Sequence, residues 1–212
     1  YFSDLKYSNV STGGTTYTTG DGMTGSCLVL TTPDAERTMN TCLSISSNFS
    51  IKNINLVDLK SSEYLYIEGY LVTSDVAMEA VHQSIEFSSK NDVKIALTFS
   101  DLAMVKYFKD NFKSILNNKV DLLFCNEDEA KTFSGSDTLE DSIKYLGKLS
   151  STLVVTLGKN GSLIYHNGEK ITIDPYPTKA VDTVGAGDTF AGAFLYGINT
   201  VSYTHLTLPT RS

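Results

Sequence analysis

From Tyr64 onward the chain alternates short, β-branched apolar runs with amphipathic helical stretches, and that rhythm leaves few folds open. Tyr64 to Glu68 (YLYIE), Val93 to Phe99 (VKIALTF), Asp121 to Phe124 and Thr152 to Leu157 (TLVVTL) read as strands. Between the first two, Ser74 to Asn91 reads as a helix with Ser74 as N-cap and Ala77, Ala80, Val81, Ser84, Ile85 and Ser88 along one stripe. Asp101 to Asn118 follows as one helix, carrying Met104, Val105, Phe108, Phe112, Ile115 and Leu116. Glu127 to Phe133 and Thr138 to Leu149 are two shorter helices. TLVVTL has the composition of a strand buried on both faces of a parallel sheet. Gly161 to Asn167 and Lys170 to Ile173 form a hairpin over Asn167-Gly168, a strong turn dipeptide. Such alternation predicts an α/β architecture, a mostly parallel sheet flanked by helices, with ligands at the carboxyl ends of the strands.

The first third is different. Glycines at 13, 14, 20, 22 and 25 predict loops or short exposed strands. Ser26 to Thr32 (SCLVLTT) is β-rich, Pro33-Asp34 signals a turn, and Arg37 to Leu43 can pair back as a hairpin. Tyr1 to Lys6 reads as the end of a helix. Val201 to Ser212 (VSYTHLTLPTRS) breaks the helical pattern before it and is expected to be a non-native tail.

Composition narrows the function classes. With 212 residues, 41% hydrophobic and 19% charged, the chain can bury one substantial core. Its net charge is −7 and it has no Lys/Arg cluster, which argues against gripping nucleic acid through phosphate neutralisation. No apolar run approaches the ~20 residues that span a bilayer. Cys27, Cys42 and Cys125 make no C-x-x-C pair, so they predict neither a zinc site nor a disulfide framework. They read as small buried hydrophobes in a reducing cytoplasm. His82, His166 and His205 show no nucleophile–histidine–acid logic.

Chemistry concentrates near the C-terminus, where Asp182 to Asp188 reads DTVGAGD and opens a helix, Asp188-Thr-Phe-Ala-Gly-Ala-Phe-Leu-Tyr. A turn without bulky Cβ atoms lets successive backbone N–H groups converge, and the helix dipole adds positive potential: an anion hole with a carboxylate beside it. A dinucleotide fingerprint needs glycine where the chain has Phe190 and a strand directly before Gly185, and both are missing. A Walker A loop needs Gly-Lys-Ser/Thr, which does not occur. Taken alone, Gly185 and Gly187 could simply shape a tight turn, with Asp188 capping the helix.

DTVGAGD resembles the C-terminal signature of the PfkB/ribokinase family of carbohydrate and nucleoside kinases, and the resemblance extends over nearly all of Tyr1 to Thr200. Asn126-Glu127-Asp128-Glu129 matches the family's N-x-x-E motif, and Thr156-Leu-Gly-Lys-Asn-Gly161 looks like its T-x-G-x-x-G nucleotide turn. Thr24 to Thr41 and Tyr64 to Leu71 look like the adenosine-kinase-like branch. The resemblance implies a ribokinase-like domain over residues 1–200, with lid and edge strands at about 12–45 and the tail at 201–212 outside it. It also implies ATP-dependent transfer of a γ-phosphate to a primary hydroxyl of a sugar or nucleoside. Asp188 would be the general base, and Gly185, Ala186 and Gly187 would supply the anion hole. Thr156, Gly158, Gly161, Asp182 and Thr183 would line the nucleotide, while Asn126 and Glu129 organise Mg²⁺. ATP and Mg²⁺ are the implied cofactors, joined by a monovalent cation; a homodimer through the lid is the implied partner arrangement. Against the family pattern, the chain lacks the opening strand, the early glycine pair that contacts the sugar and the segments after the catalytic helix. The piece itself is therefore expected to be inactive or poorly folded. A second reading is a nucleotide- or sugar-binding module without catalysis. Asn126–Glu129 also has a plain reading, as an N-capped acidic helix start.

Overall fold

The computed structural model describes residues 2–12, 22–32, 37–180 and 182–200. The turn expected at Pro33-Asp34, the glycines at 13, 14 and 20, His205 and the 201–212 tail lie outside them. A short helix, α1 (Phe2–Tyr7), precedes an antiparallel pair, β1 (Ser26–Thr31) and β2 (Arg37–Cys42). After two 3₁₀ turns, α2 (Leu56–Lys60) begins on Asn55, whose Oδ1 accepts from the N–H groups of Val57 and Asp58.

The alternating region then follows as β3 (Tyr64–Ile67), α3 (Asp75–Lys90), β4 (Lys94–Thr98), α4 (Leu102–Tyr107), α5 (Lys109–Leu116), β5 (Val120–Asn126), α6 (Glu127–Ser134), α7 (Leu139–Leu146) and β6 (Ser150–Thr156). The antiparallel β7 (Ser162–His166) and β8 (Glu169–Ile173) extend the sheet, and α8 (Ala186–Thr200) ends the described chain. The six strands lie in chain order, with β3 to β6 parallel and β7 and β8 antiparallel. The mostly parallel α/β sheet expected from the sequence is the observed one, and the expected hairpin turns at Asn167 and Gly168, both at positive φ.

Strand side chains alternate between the faces, and the two faces are dressed unequally. Leu97, Leu123, Leu153 and Val155 enter the larger core with Val81, Ile85, Val105, Phe112, Ile115, Phe133, Ile143 and Leu146 from α3 to α7. The rings of Phe99, Phe112 and Phe133 pack there, with Phe99 4.9 Å from Phe112 and 4.8 Å from Phe133. Such aromatic pairs add about 0.5–1.5 kcal/mol each beyond the area they bury. Ala96, Leu122, Phe124 and Val154 point the other way, where α8 lays Phe190, Ala191, Phe194, Leu195 and Ile198 on them. The α3 stripe is buried as its period predicts, and Ser74 caps that helix by accepting from the Ala77 N–H.

Two sequence expectations need correction. The single helix over 101–118 is two helices, broken at Phe108 (φ −123°, ψ 29°), and the break allows Val105 before it and Phe112 after it to be fully buried. Of the three cysteines, only Cys125 is buried; Cys27 and Cys42 are exposed free thiols, because β1 and β2 form a two-stranded ribbon separate from the main sheet. Among the described residues no helix is long and apolar enough to cross a membrane.

Candidate active site at the carboxyl ends of the strands

The sheet register places the motifs at one level. Asn126, the last residue of β5, pairs with Thr156, the last residue of β6, which pairs in turn with Ser162 of β7. Beyond them a cavity of about 450 Å³ opens. Its walls are Asn126, Glu129, Thr156, Gly158 and Gly161 on one side and Thr183, Ala186, Gly187 and Asp188 on the other. Thr98, Ser100, Phe124, Cys125 and Phe190 complete it. Three motifs separated by tens of residues in sequence thus share one cavity.

Each wall has a local cause. At α6, Asn126 Oδ1 accepts from the Glu129 N–H at 2.8 Å and Glu129 Oε2 accepts from the Asn126 N–H at 2.9 Å, a reciprocal capping box. The plain reading of this pair as a helix cap is therefore realised, and realised inside the cavity. Glu129 is only 5% exposed, and its carboxyl is pushed up to about 7. Burial is the main cause, the Asn126 N–H opposes it, and Asp101 and Asp128 add to it. The box uses Oδ1 of Asn126 and Oε2 of Glu129, so Glu129 Oε1 is not committed to the cap. A buried carboxyl that ionises with difficulty is a group that a divalent cation would stabilise, so the residues present fit a Mg²⁺ ion. Among the described residues, no group of three or more His, Cys, Asp or Glu is arranged to hold a metal by itself. Mg²⁺ usually takes one or two carboxylates plus water and substrate phosphates. Beside Glu129, burial first and the carboxylate second push the Cys125 thiol well up, which leaves it unreactive.

At the turn after β6, Gly158 (φ 56°) and Gly161 (φ 89°) adopt left-handed backbone, and the Leu157 N–H closes the loop onto the Gly161 carbonyl at 2.8 Å. A Cβ on Gly161 would lie 2.1 Å from the Ile173 carbonyl oxygen, so only glycine fits there.

The third wall is the start of α8. Gly185 (φ 74°) turns the chain, Asp182 Oδ1 accepts from the Val184 N–H at 2.9 Å, and the Ala186 N–H donates to Thr183 O at 3.2 Å. Thr189 closes the first helical bond, N–H to Gly185 O at 2.9 Å. The N–H groups of Gly187 and Asp188 have no helical acceptor, as at any helix start, and nothing lies within 4 Å of where a Cβ on Gly185 or Gly187 would stand. The Asp188 carboxylate is exposed beside this opening. Of the sequence-predicted residues, Thr183 lines the cavity, whereas the Asp182 carboxyl is occupied in shaping the turn.

Sequence reasoning missed the β3–β4 side. Ser100 Oγ donates to Glu68 Oε2 at 2.9 Å and accepts from the Gly69 N–H at 2.8 Å. Burial, then Glu68, then more weakly Asp188, pushes the Tyr66 phenol far above its ordinary range. Tyr70 is pushed up to about 12 by burial and then by Asp101, Cys27, Glu68 and Asp188. The sequence signal was Glu68 and Gly69, a charge and a glycine directly after β3.

The profile of the pfkB family of carbohydrate kinases matches residues 1–203. A ribokinase of Lactococcus lactis is 38% identical over 113 residues, 47% of this chain and 36% of that protein. The chain spans about half the length of other curated relatives it matches, among them adenosine kinase 2 of Arabidopsis thaliana. The crystal structure of adenosine kinase from Sinorhizobium meliloti superposes with a TM-score of 0.89 at 25% identity, covering 94% of this chain and 62% of that one. A fructokinase of Vibrio cholerae, solved with fructose, ADP and a calcium ion, superposes with a TM-score of 0.80, covering 95% of this chain and 66% of that one; at 16% identity the likeness is one of fold.

Proposed function

This chain belongs to the pfkB family of carbohydrate kinases, and on that premise we propose that it carries the catalytic half of an ATP-dependent phosphotransferase acting on a primary hydroxyl of a sugar or nucleoside. The observation that carries the reading is the convergence of Asn126, Glu129, Thr156, Gly158, Gly187 and Asp188 on one cavity at the carboxyl ends of the strands. Phosphoryl transfer passes through a loose transition state, so catalysis rests on positioning and charge neutralisation more than on covalent chemistry. The uncommitted N–H groups at the start of α8 meet the phosphoryl oxygens, and the helix dipole favours the negative charge that gathers there. Asp188 takes the proton from the acceptor hydroxyl as its oxygen bonds to phosphorus. The turn of Thr156, Gly158 and Gly161, with Thr183 across the cavity, faces the nucleotide. Mg²⁺, held from the Asn126 and Glu129 side, would neutralise phosphate charge. A fructokinase of the same fold was solved with fructose, ADP and a calcium ion, the classes of ligand proposed here.

The domain is proposed to run over residues 1–200, with β1 and β2 as part of a lid. The experiment is direct. A protein that carries this chain at the length of its relatives, incubated with Mg-ATP and a panel including ribose, fructose and adenosine, is expected to release ADP only when an acceptor is present, and the chain by itself to release little or none. Asp188→Asn abolishes that release and keeps ATP binding. ATP binding without transfer to any acceptor would favour a non-catalytic nucleotide-binding module.

A further inference from the structure

The walls of the cavity carry negative charge and no positive side chain. Glu129 and Asp188 stand among them, and none of the lining residues is a lysine, arginine or histidine. The phosphates of a nucleoside triphosphate bear more negative charge than one Mg²⁺ neutralises, and phosphoryl transfer depends on neutralising it. A cation at the rim would supply the remainder.

Lys159 is placed there. It lies in the turn after β6, directly after Gly158 and two residues before Gly161, and both glycines are walls of the cavity. The backbone beneath it is tied down. The Asn160 N–H donates to Leu157 O at 3.0 Å, and the Gly161 N–H donates to Gly158 O at 3.2 Å. Gly161 is wedged against the Ile173 carbonyl, with no room for a Cβ. The side chain, by contrast, is uncommitted. Lys159 is exposed and makes no ion pair among the described residues, whereas Lys90, Lys113, Lys131, Lys144 and Lys170 each pair with a carboxylate. A lysine ammonium is a point charge on a flexible four-carbon stem, a form of cation that suits phosphate oxygens.

We propose that Lys159 is a nucleotide-binding residue, its ammonium reaching from a fixed turn to the phosphates in the cavity. The inference rests on the nucleotide site proposed above and deepens it. The positive charge that the walls do not supply comes from a variable position inside the glycine turn, one that reads in the sequence as a spacer. Two other exposed lysines serve as comparisons. Lys179 stands three residues before Asp182, on the approach to the α8 turn, and Lys148 stands before the amino end of β6, at the opposite pole of the sheet.

The test uses a protein that carries this chain at the length of its relatives. Binding of a non-hydrolysable ATP analogue with Mg²⁺ is measured by titration calorimetry at low and high KCl, about 50 and about 500 mM. Lys159→Gln is expected to weaken binding about fivefold at low salt, the upper end for an exposed ion pair, and much less at high salt, where the charge is screened. Lys159→Arg keeps the charge and should recover most of the loss. Lys179→Gln and Lys148→Gln should each cost about twofold at most, the effect of one remote charge. The melting temperature of Lys159→Gln should match wild type, since its side chain gives up no ion pair. The proposal is overturned by undiminished binding in Lys159→Gln, by a loss of the same size at both salt concentrations, or by no recovery with arginine. An equal loss in Lys179→Gln or Lys148→Gln, or a wild type that does not bind the analogue, overturns it as well. If wild type binds the analogue but transfers phosphate to no acceptor, the kinase reading falls while the Lys159 result still decides this one.

Discussion

Two helix starts face each other across the cavity, and they treat their own polar groups in opposite ways. At α6 the capping box satisfies its donors internally, and it does so at a buried position with Glu129 5% exposed. At α8 a glycine turn leads into the helix, the N-cap position is Gly185, which has no side chain to cap with, and the Asp188 carboxylate stands in the open. Gly185 stands at φ 74°, where a Ser cap would be strained, so the start of α8 is shaped by its turn and not by a cap. The difference separates two jobs. The α6 start holds a carboxylate in place, and on the proposed reading the α8 start keeps donors for the phosphoryl anion.

The largest effect expected from breaking this contrast is at Asp188. Asp188→Asn keeps shape and hydrogen bonding but cannot take up the acceptor's proton, so kcat should fall by roughly 10²–10⁴-fold, the range of general-base catalysis. ATP affinity should change little; steady-state kinetics beside equilibrium ATP binding make the check.

The next effect is on pH. With the carboxyl of Glu129 raised by burial to about 7 in the folded protein, from its ordinary 4.5, the folded protein holds a proton there that the unfolded chain has released between those values. That contribution to stability is full below about pH 4.5, falls as pH rises, and is gone above about pH 7. The span is on the order of 3 kcal/mol in the absence of metal. Mg²⁺ bound at Glu129 competes with the proton, so it should stabilise the protein more at about pH 8 than at about pH 6. Urea unfolding across that range, with and without MgCl₂, measures both slopes. Glu129→Gln should flatten them, and a slope unchanged in that variant would remove Glu129 as their source.

Much of the scaffold was legible because it follows from periods. Leu153 and Val155 on one face and Val154 on the other are all fully buried, and an apolar run such as TLVVTL predicts that without knowledge of its neighbours. The positions of Asn126, Gly158 and Asp188 were legible because short motifs at strand ends and helix starts have few other uses. Their convergence on one cavity followed from parallel strands ending at one level. What stayed hidden depends on contacts between distant residues. Nothing near Glu68 announces Ser100, and nothing near Phe108 announces a helix break, since the apolar spacing runs through it unbroken. At five residues, α2 is too short to show a helical period, although Asn55 supplies its cap. The two exposed cysteines were misread because residue type carries an average burial, and a ribbon detached from the main sheet does not follow the average.

Smaller effects sharpen the contrast from each side. Asn126→Ala removes one half of the capping box and should cost about 1 kcal/mol of stability, together with any Mg²⁺-dependent stabilisation that relies on Glu129 staying in place. Gly187→Ala should do the reverse. There is open space where its Cβ would stand, it lies in the first turn of α8, and its φ is not positive, so alanine should raise stability by about 0.5 kcal/mol through lost freedom in the unfolded chain. The added methyl would nonetheless occupy the approach to the uncommitted N–H groups and weaken contact with the transferring phosphoryl group. A protein that melts higher and turns over more slowly is the expected outcome, read from thermal unfolding and kcat on the same preparation. Should Gly187→Ala stabilise and leave kcat untouched, the glycine would be serving the turn alone, and the open start of α8 would need another reason.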